Sequence, residues 1–209
     1  MTTKEALKFV GNLSAPSKMP CQSWSISAEL CHVGARMAKV EGSICSRCYA
    51  RRGNYLYPST KQAHANRFAA LTLDGWVDAM AQAINQTEAS GYFRWFDSGD
   101  LQGAWHLAKI VEVVNKTPNI RHWLPTREYA YVAKFITEGG IVPPNLTIRL
   151  SALMFDGKAP ETFARKLKVN VSGASASAFS CPASTTGNKC LTCRACWDRD
   201  TFNVTYKKH

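Results

Sequence analysis

The chain has 209 residues, of which 45% are hydrophobic, and its 26 Lys and Arg against 15 Asp and Glu give a formal net charge of +11. This length and apolar content suffice for one sizeable hydrophobic core, which the short disulfide-dense domains of secreted proteins lack. The N-terminus has no apolar signal-peptide core and no stretch is apolar enough to span a bilayer, so we expect no membrane contact.

The segment before residue 90 contains one predicted strand and two predicted helices. Residues 7–10 have the composition of a weak strand that would begin a sheet. Ser59 and Gln62 have the spacing of a capping box, which predicts a helix starting there. Asp74 and Gly75 indicate a turn before a second helix that begins near Trp76.

Four strand patterns then alternate with helical patterns. The strands cover residues 92–97, 120–125, 146–155 and 168–172. The helices cover residues 102–116, a segment capped by Thr126 and ended by Gly139 and Gly140, and a short segment at Pro160. Strands spaced by one βα unit are typical of a parallel sheet with helical crossovers. We therefore predict an α/β fold with a parallel βα-repeat core, either an open sheet or a partial barrel.

The eight cysteines fall into two groups of four near the two ends of the chain. The first group is Cys21, Cys31, Cys45 and Cys48, and the second is Cys181, Cys190, Cys193 and Cys196. Four thiolates are the full ligand set of one zinc ion or one cubane iron–sulfur cluster. Disulfides are the alternative. We predict a single domain, 1–209, with cysteine-rich metal-binding segments at 1–58 and 176–209 around a βα core at 59–175.

The spacing within each group bears on the kind of metal centre. The C-terminal run C-x2-C-x2-C, with Cys181 as a remote fourth ligand, favours a 4Fe–4S cluster, because zinc sites usually use separated C-x2-C pairs. In the N-terminal group only Cys45 and Cys48 are closely spaced. That group also permits zinc, or a three-cysteine cluster with one open iron and one buried thiol. Which cysteines share a centre stays open.

Positive charge is concentrated where the cysteines are. Residues 1–60 and residues 161–209 each contain eight Lys and Arg against three Asp and Glu, a net +5, whereas residues 61–160 have a net +1. Such cations offset the negative charge of metal-bound thiolates. The alternative is a basic surface that binds nucleic acid or a protein partner.

Polar residues follow the predicted strands, where parallel sheets place their ligands. Asp97, Ser98, Gly99 and Asp100 follow the first clear strand, and Arg127 follows the next. We predict that any chemistry lies on Asp97, Asp100 and Arg127, with Ser98 and Gly99 as a ligand-binding turn. The alternative is structural, with Asp100 capping the next helix and the arginine forming an ion pair.

The order of these motifs resembles a known family. The segments 45–50, 98–100, 125–127 and 181–197 are similar to a bacteriophage family with a gene-product-eighty-eight-like domain, and the resemblance covers about residues 21–197. It implies a phage-encoded protein that acts in the host cytoplasm, where the basic surface would contact nucleic acid or a host protein. It implies no particular reaction.

A looser resemblance is to the radical S-adenosylmethionine enzymes, which place a cysteine loop after the first strand of a partial βα barrel. Cys31, Cys45 and Cys48 would form that loop, with Tyr49 as the aromatic residue beside the last cysteine, and Ser98 to Asp100 would match the later Gly-Gly-Glu-like turn. The chain departs from that family in its first cysteine gap of thirteen residues. A fourth ligand, Cys21, would also close the open iron.

Three functional hypotheses follow. The first is an iron–sulfur protein with two four-cysteine 4Fe–4S centres and a redox or structural role. The alternatives are an enzyme that uses S-adenosylmethionine at an open N-terminal cluster, and a zinc-stapled nucleic-acid-binding protein. The sequence leaves open whether the chain is an enzyme.

Overall fold

The computed structural model describes residues 1–208, which form six β-strands and seven α-helices. The strands are β1 (Ser23–Trp24), β2 (Tyr92–Trp95), β3 (Arg121–Thr126), β4 (Leu146–Ser151), β5 (Asn170–Ser175) and β6 (Asn203–Lys207). The helices are α1 (Thr3–Phe9), α2 (His32–Met37), α3 (Pro58–Leu71), α4 (Trp76–Thr87), α5 (Ala104–Asn115), α6 (Tyr129–Thr137) and α7 (Glu161–Lys166). None of these helices combines the length and apolar character that crossing a bilayer requires.

All six strands are parallel and lie in one sheet in the order β1-β2-β3-β4-β5-β6. The order never reverses, so the sheet has no switch point of the doubly wound kind. Crossovers of one hand then place their helices on the same face, as in a βα barrel that has been opened between its first and last strands. The predicted parallel α/β core is confirmed, and the sheet extends through β1 and β6 into both predicted flanking segments.

The two faces of the sheet have different partners. One face and the helices enclose the main hydrophobic core, which includes Trp24, Phe93, Trp95, Leu124 and Ile148. The opposite face is called the inner face below. It contributes to a second hydrophobic cluster, which contains Met19, Cys21, Trp123, Cys196, Trp197 and Val204. The inner face is therefore covered by the segment around Cys21 and by the C-terminal cysteine segment.

Arg149 on β4 holds the C-terminal segment against the inner face. Its side chain is fully buried. The guanidinium donates hydrogen bonds of 2.7–3.3 Å to six backbone carbonyl oxygens, those of Val171, Ala195, Cys196, Asp198, Thr201 and Phe202. A cation removed from water is tolerated only where such acceptors replace its hydration. Arg149 and the C-terminal segment therefore require one another.

Two sequence predictions near the N-terminus were wrong. Residues 7–10 belong mainly to α1, which begins with a capping box between Thr2 and Glu5. Helix α3 begins at Pro58 without a side-chain cap, so Ser59 does not form the predicted capping box. Proline suits the first helical position because its missing N–H would have no helical partner there. The short β1 and the C-terminal β6 were not predicted.

Replacing Arg149 by Met should lower the free energy of unfolding by on the order of 3–5 kcal/mol, because it leaves buried carbonyl oxygens without donors. Urea denaturation followed by tryptophan fluorescence measures this loss. Arg121, exposed at the start of β3, provides the control, and Arg121→Met should change stability by no more than about 0.5 kcal/mol. Equal stabilities of the two variants would contradict the role given to Arg149.

His106 and His122 are fully buried, and they make stability depend on pH. Burial lowers the pKa of each to about 3, so both are neutral in the folded chain, whereas a free imidazole takes up its proton near pH 6.5. Stability should therefore fall as the pH falls below 6.5, by about 2 kcal/mol per histidine between pH 7 and pH 5.

The variant His122→Gln isolates one of these contributions. Its free energy of unfolding should decline less than that of the parent chain between pH 7 and pH 5, by about 2 kcal/mol. Urea denaturation at both pH values tests this, and parallel losses in the two chains would exclude His122 as a source of acid sensitivity.

Candidate functional site

Glu128 fastens the start of the cysteine loop, residues 31–48, to the end of β3. Its buried carboxylate accepts the backbone N–H groups of His32 at 3.0 Å and Val33 at 2.7 Å. These donors lie in the first turn of α2, whose N-cap is Cys31. First-turn N–H groups lack helical acceptors, and a negative charge is favourable there. The position of Cys31 is therefore set by a carboxylate that follows another strand.

The rest of the loop is fastened to β4 and β2. The N–H of Ile44 donates to the carbonyl oxygen of Leu153 at 2.9 Å, just beyond β4. The hydroxyl of Tyr49 donates to the carbonyl oxygen of Asp97 at 2.5 Å, just beyond β2. The cysteine loop therefore lies over the carboxyl edge of the sheet.

Cys31, Cys45 and Cys48 lie near one another in this loop. A Cβ built on Gly34 would stand 3.5 Å from Sγ of Cys31 and 3.8 Å from Sγ of Cys45, so both sulfurs face the same point of α2. It would also stand 2.8 Å from the Cβ of Cys31, which is too close for any residue except glycine. Burial, and then the charges of Asp100, Cys48 and Cys45, raise the pKa of Cys31.

Cys21 does not join these three thiols. It is buried on the inner face in the cluster that contains Cys196, and Cys181 and Cys190 pack against the same cluster. Burial raises the pKa of Cys21 to about 12, and the charge of Cys190 acts in the same direction. The four C-terminal cysteines line one pocket. The structure thus groups the thiols as three and five, where the sequence suggested four and four.

All eight cysteines are free thiols. Within residues 1–208, no three His, Cys, Asp or Glu side chains form a group that could hold a metal ion. The thiols are brought into two regions without converging on a point. The predicted metal-binding function of the two segments therefore stays a prediction.

The turn after β2 passes directly against the chain that follows β1. Gly99 has φ +75°, and a Cβ there would lie 2.5 Å from Cγ1 and 2.7 Å from the carbonyl oxygen of Ile26. The hydroxyl of Ser98 donates to the same oxygen at 2.6 Å and lies 3.2 Å from Nε2 of His64. Ser98 and Gly99 therefore join two neighbouring loops at the edge of the sheet.

Asp100 joins the turn after β2 to the end of β3. Its carboxylate accepts the hydroxyl of Thr126 at 2.5 Å and the N–H groups of Leu101 at 2.8 Å and Arg127 at 2.9 Å. Burial raises its pKa to about 6 against the opposing effect of these hydrogen bonds. The expected capping roles differ: Gly103 precedes α5 in place of Asp100, and Glu128 precedes α6 in place of Thr126.

Asp97 is engaged by residues of β1 and the loop before α3. Its carboxylate accepts the hydroxyls of Ser23 at 2.8 Å and Tyr55 at 3.0 Å. Burial acts to raise its pKa, but the charge of Arg94 and the neighbouring hydroxyls outweigh this effect and lower it. Arg94 lies 4.6 Å from the ring centre of Trp123, and its Nε is buried without a hydrogen-bond partner in residues 1–208.

Arg127 is a cation at the same edge. Its Nε donates to the carbonyl oxygen of Ala152 at 3.2 Å. Within residues 1–208 its guanidinium forms no ion pair, neither with Asp97 nor with Asp100. Burial raises the pKa of Cys45, and the positive charge of Arg127 opposes this effect. Arg127 therefore interacts electrostatically with the cysteine loop.

Sequence reasoning missed two residues of this region. Glu128 follows a strand, as Arg127 does, and its position alone marked it as a candidate. Its role could not be predicted, because it accepts hydrogen bonds from a loop that is distant in sequence. Arg94 lies within an aromatic strand, and a charged residue at such a position indicates a polar partner inside the fold.

These features define an α/β protein with a six-stranded parallel sheet in sequential order and a cysteine loop over the carboxyl edge of that sheet. The family model described as Gene product 88 matches residues 2–199. The chain therefore belongs to this phage gene product family, as the order of its motifs predicted. No curated protein and no solved structure matches the chain.

Gly99→Ala should lower the free energy of unfolding by more than the backbone strain at a positive φ would alone. The added Cβ would also meet the backbone of Ile26. Gly75, with φ +81° and open space where a Cβ would stand, is the matched control. We expect a loss of about 1 kcal/mol for Gly75→Ala and at least about 2 kcal/mol more for Gly99→Ala. Urea denaturation compares them, and equal losses would argue against the close contact.

Proposed function

We propose that the protein is an iron–sulfur enzyme of the radical S-adenosylmethionine type. Cys31, Cys45 and Cys48 would bind a 4Fe–4S cluster in which one iron has no protein thiolate. The observation that carries this proposal is the position of Cys21, which packs with Cys196 and Cys190 and leaves three thiols in the loop. We favour this proposal over two four-cysteine centres because the loop lacks a fourth thiol. A cluster bound by three cysteines keeps one iron available for a ligand.

The number of thiols in the loop fits a cluster with one open iron. Four thiolates complete the ligand set of a cubane, so three would leave one iron without a protein ligand. A cubane is several atoms across and needs its sulfurs at separate corners. The sulfurs of Cys31 and Cys45 both lie within 4 Å of one point beside Gly34, so two of the three thiols face the same region.

Charges of both signs surround the loop. The negative charge of Asp100 acts on both Cys31 and Cys45, and the positive charges of Arg127 and Arg51 act on Cys45. A ligand with both an ammonium and a carboxylate group, such as the amino acid part of S-adenosylmethionine, would find partners of both signs there. When bound, a reduced cluster of this kind supplies the electron that starts radical chemistry on S-adenosylmethionine.

The position of the loop supports the same proposal. The chain's own residues bring the cysteines to the carboxyl edge of the sheet, where βα barrels place their ligands. Residues 98–100 lie at the same edge of the sheet as the hydrogen bonds that hold the loop. A ligand bound there would therefore contact several loops. Tyr49 would close one side, since its hydroxyl is held by Asp97.

The C-terminal thiols with Cys21 would bind a second iron–sulfur centre with a redox or structural role. Five thiols are then available for the four corners of one cubane. The charge of Arg94 acts on Cys21, Cys190 and Cys196, which offsets the negative charge that bound thiolates bring. As a phage gene product, the protein would act in the host cytoplasm, where thiols stay reduced.

Substitution of single cysteines tests the grouping. Anaerobically purified protein should contain iron and acid-labile sulfide, about eight of each for two cubanes. Cys45→Ser should lose about half of the iron and the change that S-adenosylmethionine causes in the electron paramagnetic spectrum of the reduced protein. Cys21→Ser is the matched control and should keep that change.

Two outcomes would contradict the proposal. One is a colourless protein that contains zinc in place of iron and sulfide. The other is loss of the S-adenosylmethionine response in Cys21→Ser with retention in Cys45→Ser, which would place the open iron in the C-terminal centre.

A further inference from the structure

Residues 47–61, which continue the cysteine loop into α3, are basic and aromatic. They contain three arginines, one lysine and three tyrosines, with no Asp or Glu. All four cations are exposed. Tyr49 and Tyr57 are 52% and 58% exposed, so two aromatic rings lie on the surface among these cations.

The internal contacts of this segment do not account for its composition. Its turns at Cys45–Arg47, Tyr49–Arg51 and Gly53–Leu56 lack side-chain caps. Within residues 1–208, none of the four cations forms an ion pair with a carboxylate. The ring of Tyr57 has no stacking partner among the described residues. The exposed cations and the exposed ring of Tyr57 are therefore available to a ligand.

The segment adjoins the candidate site. Tyr49 reaches Asp97 at the end of β2 and lies 5.7 Å from the ring of Tyr55, measured between centroids. The positive charge of Arg51 acts on the thiol of Cys45. A long ligand that follows the segment would therefore pass the edge of the cysteine loop.

We propose that residues 47–61 bind single-stranded nucleic acid, and that a nucleotide of this strand is the substrate of the site. The second part rests on the proposed function, whereas the binding itself does not. Arginine and lysine contact phosphates, and exposed tyrosine rings stack on unpaired bases. A base in a single strand is free to enter a site, whereas a base in a duplex must first leave its stack.

Other anionic partners fit the segment less well. An acidic peptide would neutralise the arginines but offers no planar base to Tyr49 and Tyr57. A duplex presents phosphates while its bases stay stacked on one another, so it also leaves the rings without partners. Only a single strand uses both the charges and the rings.

Fluorescence anisotropy of a short labelled single-stranded oligonucleotide, with the cluster-loaded protein, tests the binding. Log Kd should depend on the logarithm of the salt concentration with a slope of about 0.7 per phosphate contact. Arg51→Gln with Arg52→Gln should reduce this slope by about 1.4. Lys4→Gln with Lys8→Gln, which removes the same charge from exposed positions on α1, is the control and should leave the slope unchanged.

A second pair of variants separates stacking from charge. Tyr57→Leu should weaken binding by roughly 5- to 100-fold, while Tyr57→Phe, which keeps the ring, should bind like the parent chain. Iron, sulfide and the S-adenosylmethionine response are measured on the same samples. Intact values there, together with no oligonucleotide binding, would overturn this inference and leave the proposed function standing.

Competition identifies the occupant. Unlabelled single strand should displace the labelled strand at lower concentration than duplex of the same length or polyglutamate. Equal displacement by polyglutamate would show a general anion surface, and equal displacement by duplex would show phosphate binding alone. Either result contradicts the proposal. An equal decrease of the salt slope in the control pair on α1 and in the Arg51 and Arg52 pair would contradict it too.

Discussion

Two arginines on the inner face of the sheet, the fully buried Arg149 and the partly buried Arg94, determine where the ends of the chain must lie. An arginine at the centre of a sheet face loses its hydration and needs acceptors or aromatic partners from elsewhere. Arg149 takes its acceptors mainly from residues 195–202. Arg94 takes carbonyl, hydroxyl and thioether partners from the loops around β1 and β2, and lies over Trp123. The segment around Cys21 and the C-terminal cysteine segment therefore pack on the same face.

This constraint also separates the thiols into two regions. Cys21 precedes β1 and the cysteine loop follows it, so a two-residue strand divides cysteines that are close in sequence. The segment before β1 lies beside the C-terminal segment, because the N–H of Cys190 donates to the carbonyl oxygen of Lys18 at 2.9 Å. The grouping of the thiols thus depends on which end of a strand each cysteine occupies.

The sequence predicted the positions of β2 to β5 because aromatic or aliphatic residues recur there between helical patterns. The bounds of two strands were less accurate, since β4 ends at Ser151 and β5 extends to Ser175. It missed β1, since two residues have no periodicity, and β6, which lies among cysteine-rich and basic residues. The predicted edge residues Asp97, Asp100 and Arg127 do follow strands. Their partners could not be predicted, because Asp97 binds Ser23 and Tyr55 through contacts between distant parts of the chain.

The cysteine loop is held by contacts that do not involve a metal. Glu128, Tyr49 and Ile44 tie it to three strands through hydrogen bonds made by the protein alone. In zinc fingers, by contrast, the metal supplies the folding free energy, and the ligand set must be complete for the domain to fold. A loop whose position is already fixed does not need a fourth thiolate for its stability. An incomplete ligand set is therefore compatible with a stable fold here, which is the condition that an open coordination site at the edge of the sheet requires.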